Sequence, residues 1–301
     1  MIGVDSSTLP KRKLIYIMGA GRSGTTMLDI LLGNSKENLS LGELTRYFEL
    51  GGIPRNNEVG TAKDRFWKYF KKTYELKLGY EINFEEVHSR HQTLEHPKQF
   101  LTNFLGRKTQ SEQSQYKKEM EVFFEVLSEI VNEAHIVDSS KYQPRALNLG
   151  RVFKGKTTQF ELCLLYLVRD PVSVVQSFGK NVEEQVSRHW FSANIYFFLI
   201  NLFSSLTLWK LKGMGYKTLK VRYEDYVQEP LECLSMIEKS FDIDLSQTKA
   251  RIKADDDLEI GPLFDGNRLR LKESVKLRLA KPIEIRSFVD LFSRLMNKVW
   301  Y

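Results

Sequence analysis

The stretch LIYIMGAGRSGTTMLDILL, residues 14–32, decides the fold. Five apolar residues typical of a β-strand run directly into a glycine-rich turn, and a helical pattern follows from Met27. A strand, a glycine-rich turn and a helix N-terminus together form an anion site, because backbone N–H groups converge there and the helix dipole adds positive potential. The stretch therefore predicts a phosphate-binding loop in an α/β fold.

This loop departs from the Walker A pattern GxxxxGK[ST] at one position. Its glycines fall at Gly19 and Gly24 and its hydroxyl at Thr26, but Thr25 stands at the lysine position. In nucleoside triphosphatases that lysine neutralises the β- and γ-phosphates, so its loss predicts a ligand with fewer charges at this end. Arg22 instead offers a planar, permanently charged group within the loop. A glycine turn without a ligand is the alternative interpretation.

Further apolar runs predict the other strands of a parallel sheet, at residues 135–137, 162–168 and 218–223. Residues 162–168 (LCLLYLV) are apolar throughout, as expected of a central strand covered on both faces. Helical patterns occupy residues 64–77, 112–134, 188–211 and 230–241. Strands that alternate with helices are typical of a three-layer α/β domain.

The chain is predicted to be one domain, residues 1–301, with a helical insertion at residues 55–134. The insertion is polar, charged and aromatic by turns and has no convincing strand. It could be a substrate lid over the mouth of the sheet or a set of additional core helices.

The composition indicates the charge of a binding partner but not its identity. The chain is 42% hydrophobic and 28% charged, which argues against disordered and collagen-like classes, and its net charge of 45 − 38 = +7 favours an anionic ligand or surface. Cys163 and Cys233 have no metal-ligand spacing, and no secretion signal is evident, so a cytoplasmic setting is expected. Residues 191–209 carry no charge, but six polar residues among them favour a core helix over stable membrane insertion.

Five blocks of the sequence resemble the PAPS-dependent sulfotransferases, where PAPS is 3′-phosphoadenosine 5′-phosphosulfate. GAGRSGTTMLDILLGN (residues 19–34) is similar to the 5′-phosphosulfate loop of the branch that includes carbohydrate, tyrosylprotein and many bacterial enzymes. The other blocks follow in the family's order: IVDSSKYQPRAL (136–147), LYLVRDPVSVVQSF (165–178), VRYEDYVQEP (221–230) and GNRLR (266–270). The resemblance implies a P-loop-like three-layer fold with a central parallel sheet, PAPS as co-substrate and PAP as product. No metal is expected, because PAPS lacks the γ-phosphate that magnesium bridges in nucleoside triphosphatases.

The resemblance also assigns nucleotide contacts to particular residues. In the loop they are Gly21, Arg22, Ser23, Gly24, Thr25 and Thr26; at the 3′-phosphate they are Arg169 and Ser177; elsewhere on the nucleotide they are Tyr223, Gly266, Asn267 and Arg268. Independently of the family, Arg169 follows its strand at the carboxyl end, where open α/β sheets bind ligands. A salt bridge to Asp170 or another carboxylate is its alternative role.

Sulfuryl transfer needs a base for the acceptor, cations for the developing charge and an in-line geometry. LSLGELTRYF (residues 39–48) reads as a short strand ending at Gly42-Glu43, where this branch of the family places its catalytic glutamate. Glu43 is therefore the expected general base, with a charge at a helix N-terminus as its alternative role. Lys141, in the family's DSSK-like segment, and Arg22 are expected to stabilise charge. None of the five histidines lies in a block that matches the family's histidine-based branch.

The expected acceptor is a hydroxyl or amine of a small molecule, such as a metabolite, a natural product or a sugar. The aromatic residues Phe66, Trp67, Tyr69, Phe70 and Tyr74 of the insertion favour an acceptor that is partly apolar or cationic.

Two other classes of function stay open. A P-loop kinase or nucleoside triphosphatase would use Asp138 or Asp170 for magnesium. A non-catalytic protein would bind nucleic acid or anionic lipid through a basic surface such as residues 63–77, although nucleic acid is not the favoured partner. The sequence does not fix the oligomeric state.

Overall fold

A computed structural model describes residues 12–55, 57–107, 110–154, 159–179, 187–279 and 283–301. Its main sheet has five strands: β1 (Arg12–Gly19), β2 (Asn38–Ser40), β3 (His135–Lys141), β4 (Phe160–Val168) and β5 (Lys217–Arg222). Every neighbouring pair is parallel and the order is β2-β3-β1-β4-β5. The predicted α/β fold with a central parallel sheet is thereby confirmed.

Two details of the strands differ from the prediction. β4 lies one place from the middle of the sheet, which β1 occupies, yet it still has a strand on each side and is covered on both faces. β3 runs on to Lys141, four residues beyond its predicted end at Val137, because the side chains of Asp138, Ser139 and Ser140 find buried hydrogen-bond partners. A separate antiparallel pair consists of β6 (Leu258–Glu259) and β7 (Ser274–Val275).

Helices cover both faces of the sheet. They are α1 (Thr25–Leu32), α2 (Ala62–Leu78), α3 (Phe84–Glu95), α4 (Phe100–Phe104), α5 (Gln110–Ile130), α6 (Gln143–Val152), α7 (Pro171–Phe178), α8 (Trp190–Gly213), α9 (Tyr223–Gln228), α10 (Pro230–Phe241), α11 (Ser246–Lys253) and α12 (Phe288–Asn297). Sequence patterning predicted α2, α5, α8 and α10 to within four residues at their ends, whereas Tyr223 starts a helix where the end of a strand was expected.

Two apolar cores follow from the alternation of side chains along β1. Tyr16 and Met18 belong to the core beneath α5, α6 and α8, while Ile15 and Ile17 belong to the core beneath α1 and α10. Helices packed on both faces of one sheet give the predicted three layers.

The insertion contributes to the first of these cores. Trp67, Phe70 and Tyr74 of α2 are buried, and the Phe70 ring lies 4.7 Å from that of Phe123 and 5.2 Å from that of Tyr47. These three rings do not form the acceptor surface that the sequence suggested. The packing favours additional core helices, and a lid function of residues 55–134 stays a prediction; residues 56 and 108–109 lie outside the described part.

Helix α8 buries four of the six polar residues between Phe191 and Trp209. It is long and apolar enough to cross a membrane by length and composition. Asn201 accepts a hydrogen bond from Tyr166 of β4 (2.7 Å), Ser204 accepts one from Gln143 of α6 (2.9 Å), and Thr207 is fully buried. The expected core helix is therefore buried along one face only, and α8 lies against the sheet.

Candidate nucleotide-binding and transfer site

The glycine-rich turn connects the carboxyl end of β1 to α1, where the sequence predicts an anion site. Arg22 (φ 69°) and Gly24 (φ 90°) both adopt the left-handed region, which glycine permits and arginine rarely adopts. A Cβ on Gly24 would lie 2.6 Å from the ring of Tyr223, and the Gly24 carbonyl accepts a hydrogen bond from Tyr226 (3.1 Å). The loop therefore packs against the start of α9.

Three buried polar atoms at this loop have no hydrogen-bond partner among the residues described: Arg22 Nη2, Ser23 Oγ and Arg169 Nε. Buried polar groups in folded proteins are nearly always paired. Two guanidinium nitrogens and a hydroxyl are groups that bind phosphate oxygens. The two guanidinium groups therefore fit the phosphate and phosphosulfate groups of a nucleotide such as PAPS, whereas Ser23 lies outside the described lining of the two cavities.

The first cavity, of about 260 Å³, brings the loop together with both predicted catalytic side chains. Its lining includes Gly21, Arg22, Gly24, Thr25, Thr26, Met27, Glu43, Lys141, Phe178, Tyr196, Gly266, Asn267 and Leu269. No described residue of 55–134 lines it. Two cationic side chains and one carboxylate share this space, which is the set that charge stabilisation and proton transfer require.

Glu43 and Lys141 form an ion pair in this cavity, with side chains only 18% and 20% exposed. The Glu43 backbone N–H donates to the carbonyl of Asp265 (3.0 Å), and a Cβ on Gly42 would lie 2.3 Å from that same carbonyl. Glu43 stands at the N-cap of the short 3₁₀ turn Leu44–Arg46 without a side-chain hydrogen bond to it, and a charge at a helix N-terminus stays its alternative role. Its carboxylate points to the cation at the end of β3.

Lys141 is itself held in an unusual conformation. Its φ is 72°, which costs a residue with a Cβ of order 1 kcal/mol or more and persists only where the surroundings enforce it. Arg22 shares this property, so two predicted catalytic cations are among the four described non-glycine residues with positive φ. Such outliers cluster at functional sites.

A buried network fixes the segment that carries Lys141. Ser140 donates its hydroxyl proton to Asp138 and accepts a hydrogen bond from the Thr45 N–H (2.9 Å), two residues after Glu43. Arg145 bridges Asp138 (3.3 Å) and Glu95 (2.6 Å). Burial alone would raise the pKa of Glu95, but Arg145 and His91 hold it below its usual value.

The second cavity, of about 380 Å³, adjoins the first, with Arg22, Gly24, Met27, Asn267 and Leu269 lining both. Arg169, Ser177 and Tyr223 line it, as does a basic group that the sequence analysis did not single out: Lys272, Lys276 and Arg278. Its walls therefore carry several cations around one hydroxyl, which suits a second phosphate.

Arg169 lies where its strand position predicted. Its Nη1 donates to the Arg22 carbonyl (2.9 Å), and its guanidinium lies 4.1 Å from the centre of the Tyr223 ring. Asp170, by contrast, caps α7 through the Val172 N–H (2.8 Å) and pairs with Arg294 (3.4 Å). The alternative salt bridge between Arg169 and Asp170 is thus not the arrangement found.

The GNRLR block reaches the site through Gly266, Asn267 and Leu269. The Asn267 N–H donates to Thr26 Oγ1 (3.2 Å), and a Cβ on Gly266 would lie 3.2 Å from the Thr26 methyl group. Arg268 is exposed and lies outside the described lining of both cavities, so its predicted contact with the nucleotide has no support in this arrangement.

Two further residues at the loop escaped the sequence analysis. The Tyr196 hydroxyl accepts a hydrogen bond from the Gly21 N–H (3.1 Å), and the Arg188 guanidinium lies 4.6 Å from the centre of the Tyr196 ring. Tyr196 lies within the apolar run of α8 and Arg188 lies just before it, so the sequence pattern did not indicate either as a site residue. The basic residues after GNRLR, by contrast, were visible in the sequence as a cluster near a predicted nucleotide loop.

The residues that the alternative classes would use make other contacts in the structure. Asp138 is fully buried against Arg145, and Asp170 caps α7, so neither carboxylate reaches the cavities. On α2, Trp67, Phe70 and Tyr74 are buried whereas Tyr69 is exposed, and Lys68 and Lys77 pair with acidic residues at 2.9 and 2.6 Å. In the described ranges no group of three or more His, Cys, Asp or Glu could hold a metal ion, and the absence of a metal from the reaction stays a prediction.

No family model matches this sequence, and no curated protein matches it either. Solved structures do match it. The sulfotransferase domain from the curacin biosynthetic pathway is 16% identical with a TM-score of 0.47, covering 96% of this chain and 98% of that chain. The sulfotransferase domain from the Synechococcus PCC 7002 olefin synthase is 15% identical with a TM-score of 0.45, covering 96% and 95%. Sulfotransferase STF9 from Mycobacterium avium is 13% identical with a TM-score of 0.48, covering 82% and 68%.

All three similar structures are sulfotransferases, the class that the five sequence blocks resemble. Likeness at this identity and TM-score assigns no activity. The function is therefore argued from the residues of the two cavities.

Proposed function

We propose that this protein transfers the sulfuryl group of PAPS to a hydroxyl or amine of a small-molecule acceptor. One observation carries the proposal: two adjoining cationic cavities share the glycine-rich loop, and one of them also contains the Glu43–Lys141 pair. A nucleotide with anionic groups at both its 5′ and 3′ ends matches two such cavities. ATP has no 3′-phosphate and would leave the basic second cavity without its charge partner.

The residues divide between the two ends of the nucleotide. The loop from Gly21 to Thr26 and the guanidinium of Arg22 would hold the 5′-phosphosulfate, because converging N–H groups and a cation bind such oxygens best. Arg169 and Ser177 would hold the 3′-phosphate, with Tyr223 beside them. When bound, PAPS supplies an activated sulfuryl group on a phosphosulfate anhydride.

Glu43 is the group of the first cavity suited to take the acceptor proton. The Lys141 ammonium contacts the Glu43 carboxylate and holds it in the cavity where the acceptor would bind. Lys141 can exchange Glu43 for oxygens of the transferring group, which frees a carboxylate oxygen for the acceptor O–H or N–H. Arg22 and Lys141 then stabilise the negative charge on the sulfuryl group and on the departing phosphate.

The size of the first cavity favours a small acceptor. About 260 Å³ is just below the usual range for ligand pockets, and the loop takes part of it. Phe178 and Tyr196 provide apolar walls, so an acceptor with a hydrophobic portion fits better than a highly charged one. A metabolite, natural product or sugar in the cytoplasm fits this description.

The test is transfer of label from ³⁵S-labelled PAPS to a panel of small alcohols, sugars and amines. Glu43→Gln should lower turnover by about 10²- to 10⁴-fold, as loss of a general base does, and leave the affinity for the nucleotide nearly unchanged. Lys141→Ala and Arg22→Ala should likewise lower turnover more than nucleotide affinity. Glu85→Gln, on the exposed first turn of α3, is the matched control and should behave as wild type.

Two results would contradict the proposal. Equal turnover losses in Glu43→Gln and Glu85→Gln would remove Glu43 as the base. Transfer of the γ-phosphate from ATP with magnesium, without sulfuryl transfer from PAPS, would establish the kinase alternative.

A further inference from the structure

The outer face of α8 is apolar and exposed. Phe191 is 49% exposed, Ile195 38%, Leu199 41% and Trp209 70%. Four of the six polar residues between Phe191 and Trp209 are buried, namely Asn194, Asn201, Ser204 and Thr207, and of the other two only Ser192 is exposed. A helix on a water-facing surface instead exposes its polar side.

Helix α12 repeats the inversion. Phe288, Leu291, Leu295 and Val299, in and just after this helix, are 74%, 44%, 65% and 70% exposed. Its polar Asp290, Ser293 and Asn297 are buried. Single exposed apolar residues are normal on a protein surface, whereas two adjacent helices with this pattern form a contiguous apolar patch of the kind that marks an interaction site.

The two outward faces lie on the same side of the molecule. The helices run parallel and side by side: Trp190 contacts Phe292 (ring centres 5.6 Å apart) and Phe198 contacts Trp300 (5.3 Å). Between these contacts Asn194 donates to Ser293 Oγ (2.9 Å).

Helix α7 also contacts the buried face of α12, where Gln176 donates to Asp290 (3.0 Å). The exposed apolar residues of α12 lie away from this contact, and Phe292 beside them meets Trp190 of α8. The exposed residues of both helices form one patch, called here the α8–α12 face: Phe191, Ile195, Leu199, Trp209, Phe288, Leu291, Leu295 and Val299.

The segments that carry this face are basic. Residues 187–216 and 284–301 contain six Lys and Arg and two acidic residues, Glu284 and Asp290, which gives 6 − 2 = +4. Asp290 is buried, whereas Lys212 and Lys298 are exposed. The same segments hold three of the four tryptophans, the residues enriched where proteins meet a membrane surface.

We propose that the α8–α12 face docks on the surface of an anionic phospholipid membrane, with α8 and α12 lying in the plane of the interface. Apolar side chains would enter the boundary between headgroups and acyl chains, while the surrounding lysines and arginines attract anionic headgroups. Buried hydrogen bonds hold Asn201 of α8 to β4 and Ser204 to α6. Helix α8 therefore lies on the membrane and does not cross it. This inference is independent of the transfer reaction, because none of the eight residues of the face lines either cavity.

The charge favours this occupant over a second copy of the chain. Pairing two copies through this face would bring two segments of +4 together, and like charges in one interface oppose association. An anionic membrane instead offers its acyl-chain region to the exposed apolar side chains and its anionic headgroups to the lysines and arginines.

The test is sedimentation of the full chain with vesicles of phosphatidylcholine alone and of phosphatidylcholine with about a third phosphatidylglycerol. We expect strong binding to the anionic vesicles that weakens with salt, and weak binding to the neutral ones. Phe288→Ser together with Leu295→Ser should lower the partition coefficient at least about tenfold, because both side chains lose their apolar transfer free energy. Lys298→Gln should lower it about fivefold, which is the effect of one cation near an anionic surface.

The control is Leu76→Ser with Leu101→Ser, which removes two side chains 71% and 63% exposed on other helices and should leave vesicle binding unchanged. Thermal unfolding of each variant checks that the fold is intact, and a blue shift of tryptophan fluorescence on binding, absent in Trp209→Phe, reports insertion at the face itself. Equal vesicle binding by the Phe288/Leu295 variant and by wild type would overturn the proposal. Dimers that the same variant dissociates, without any vesicle binding, would assign the face to self-association.

Discussion

Replacing Asp29 by asparagine should change how the stability of the protein depends on pH. Asp29 lies on α1, just after the glycine-rich loop, and is fully buried. Its carboxylate accepts hydrogen bonds from Ser40 of β2 (2.5 Å) and Ser139 of β3 (2.6 Å). Burial raises the pKa of Asp29 to about 7, even though both hydroxyl donors act to lower it.

The direction follows from proton binding. The pKa of Asp29 rises from 3.8 in the unfolded chain to about 7 in the folded one, so the folded state binds more protons in between. The stability contributed by protonated Asp29 is fully present below about pH 4 and is lost as the pH rises through about 7. A rise of roughly three in the pKa of Asp29 corresponds to about 4 kcal/mol of unfolding free energy.

Urea unfolding of wild type and of Asp29→Asn at several pH values measures this effect. The amide is neutral at every pH, so the two proteins should be similar in stability near pH 4, and the variant should gain about 4 kcal/mol over wild type by about pH 8. A difference that stays flat from pH 4 to 8 would show that Asp29 is ionised throughout and would refute the reasoning.

Asp64 provides a control with the opposite sign. Hydrogen bonds from the Gly60 N–H and from Lys68 lower its pKa to about 2, so its contribution is present above pH 4 and is lost as the pH falls through about 2. Asp64→Asn should therefore be less stable than wild type at neutral pH, with the difference shrinking in acid.

Three further predictions concern the framework of the site. Arg145→Met should lower the free energy of unfolding by about 3 to 5 kcal/mol in urea, because it leaves two buried carboxylates without their cation; a loss below about 1 kcal/mol would contradict the buried network. Gly24→Ala should weaken binding of adenosine 3′,5′-bisphosphate at least about tenfold, since a Cβ there would lie 2.6 Å from the Tyr223 ring at a φ of +90°, whereas Gly213→Ala, with open space around it, should bind normally. Arg169→Ala should weaken that bisphosphate but not adenosine 5′-phosphosulfate, which lacks the 3′-phosphate, and equal losses for both nucleotides in calorimetry would argue against a 3′-phosphate contact.

The sequence predicted the parts of the site that are local in the chain. The loop, the start of α7 at Pro171 and the strand end before Arg169 are each encoded within a few residues, so pattern and turn chemistry suffice. The meeting of Glu43 with Lys141 is not local: it depends on β2 and β3 being neighbours, and only the family resemblance indicated it.

Other features depend on packing that no local pattern records. The aromatic residues of α2 have the spacing of a helix face, and that spacing is the same whether the face covers a substrate or a core. Tyr196 lies in an apolar run, and its contact with the Gly21 N–H exists only because α8 crosses above the loop. The sequence of α8 showed six polar residues, but not that four of them are buried while Phe191, Leu199 and Trp209 stay exposed.

Binding of adenosine 3′,5′-bisphosphate to the full chain in EDTA tests the central claim most directly, because it requires no knowledge of the acceptor. The two-cavity site predicts saturable binding without magnesium and an increase in unfolding free energy of about 2.7 kcal/mol at a ligand concentration 100 times the Kd, with adenosine 5′-monophosphate binding more weakly. Stabilisation by ATP with magnesium and none by the bisphosphate would contradict it.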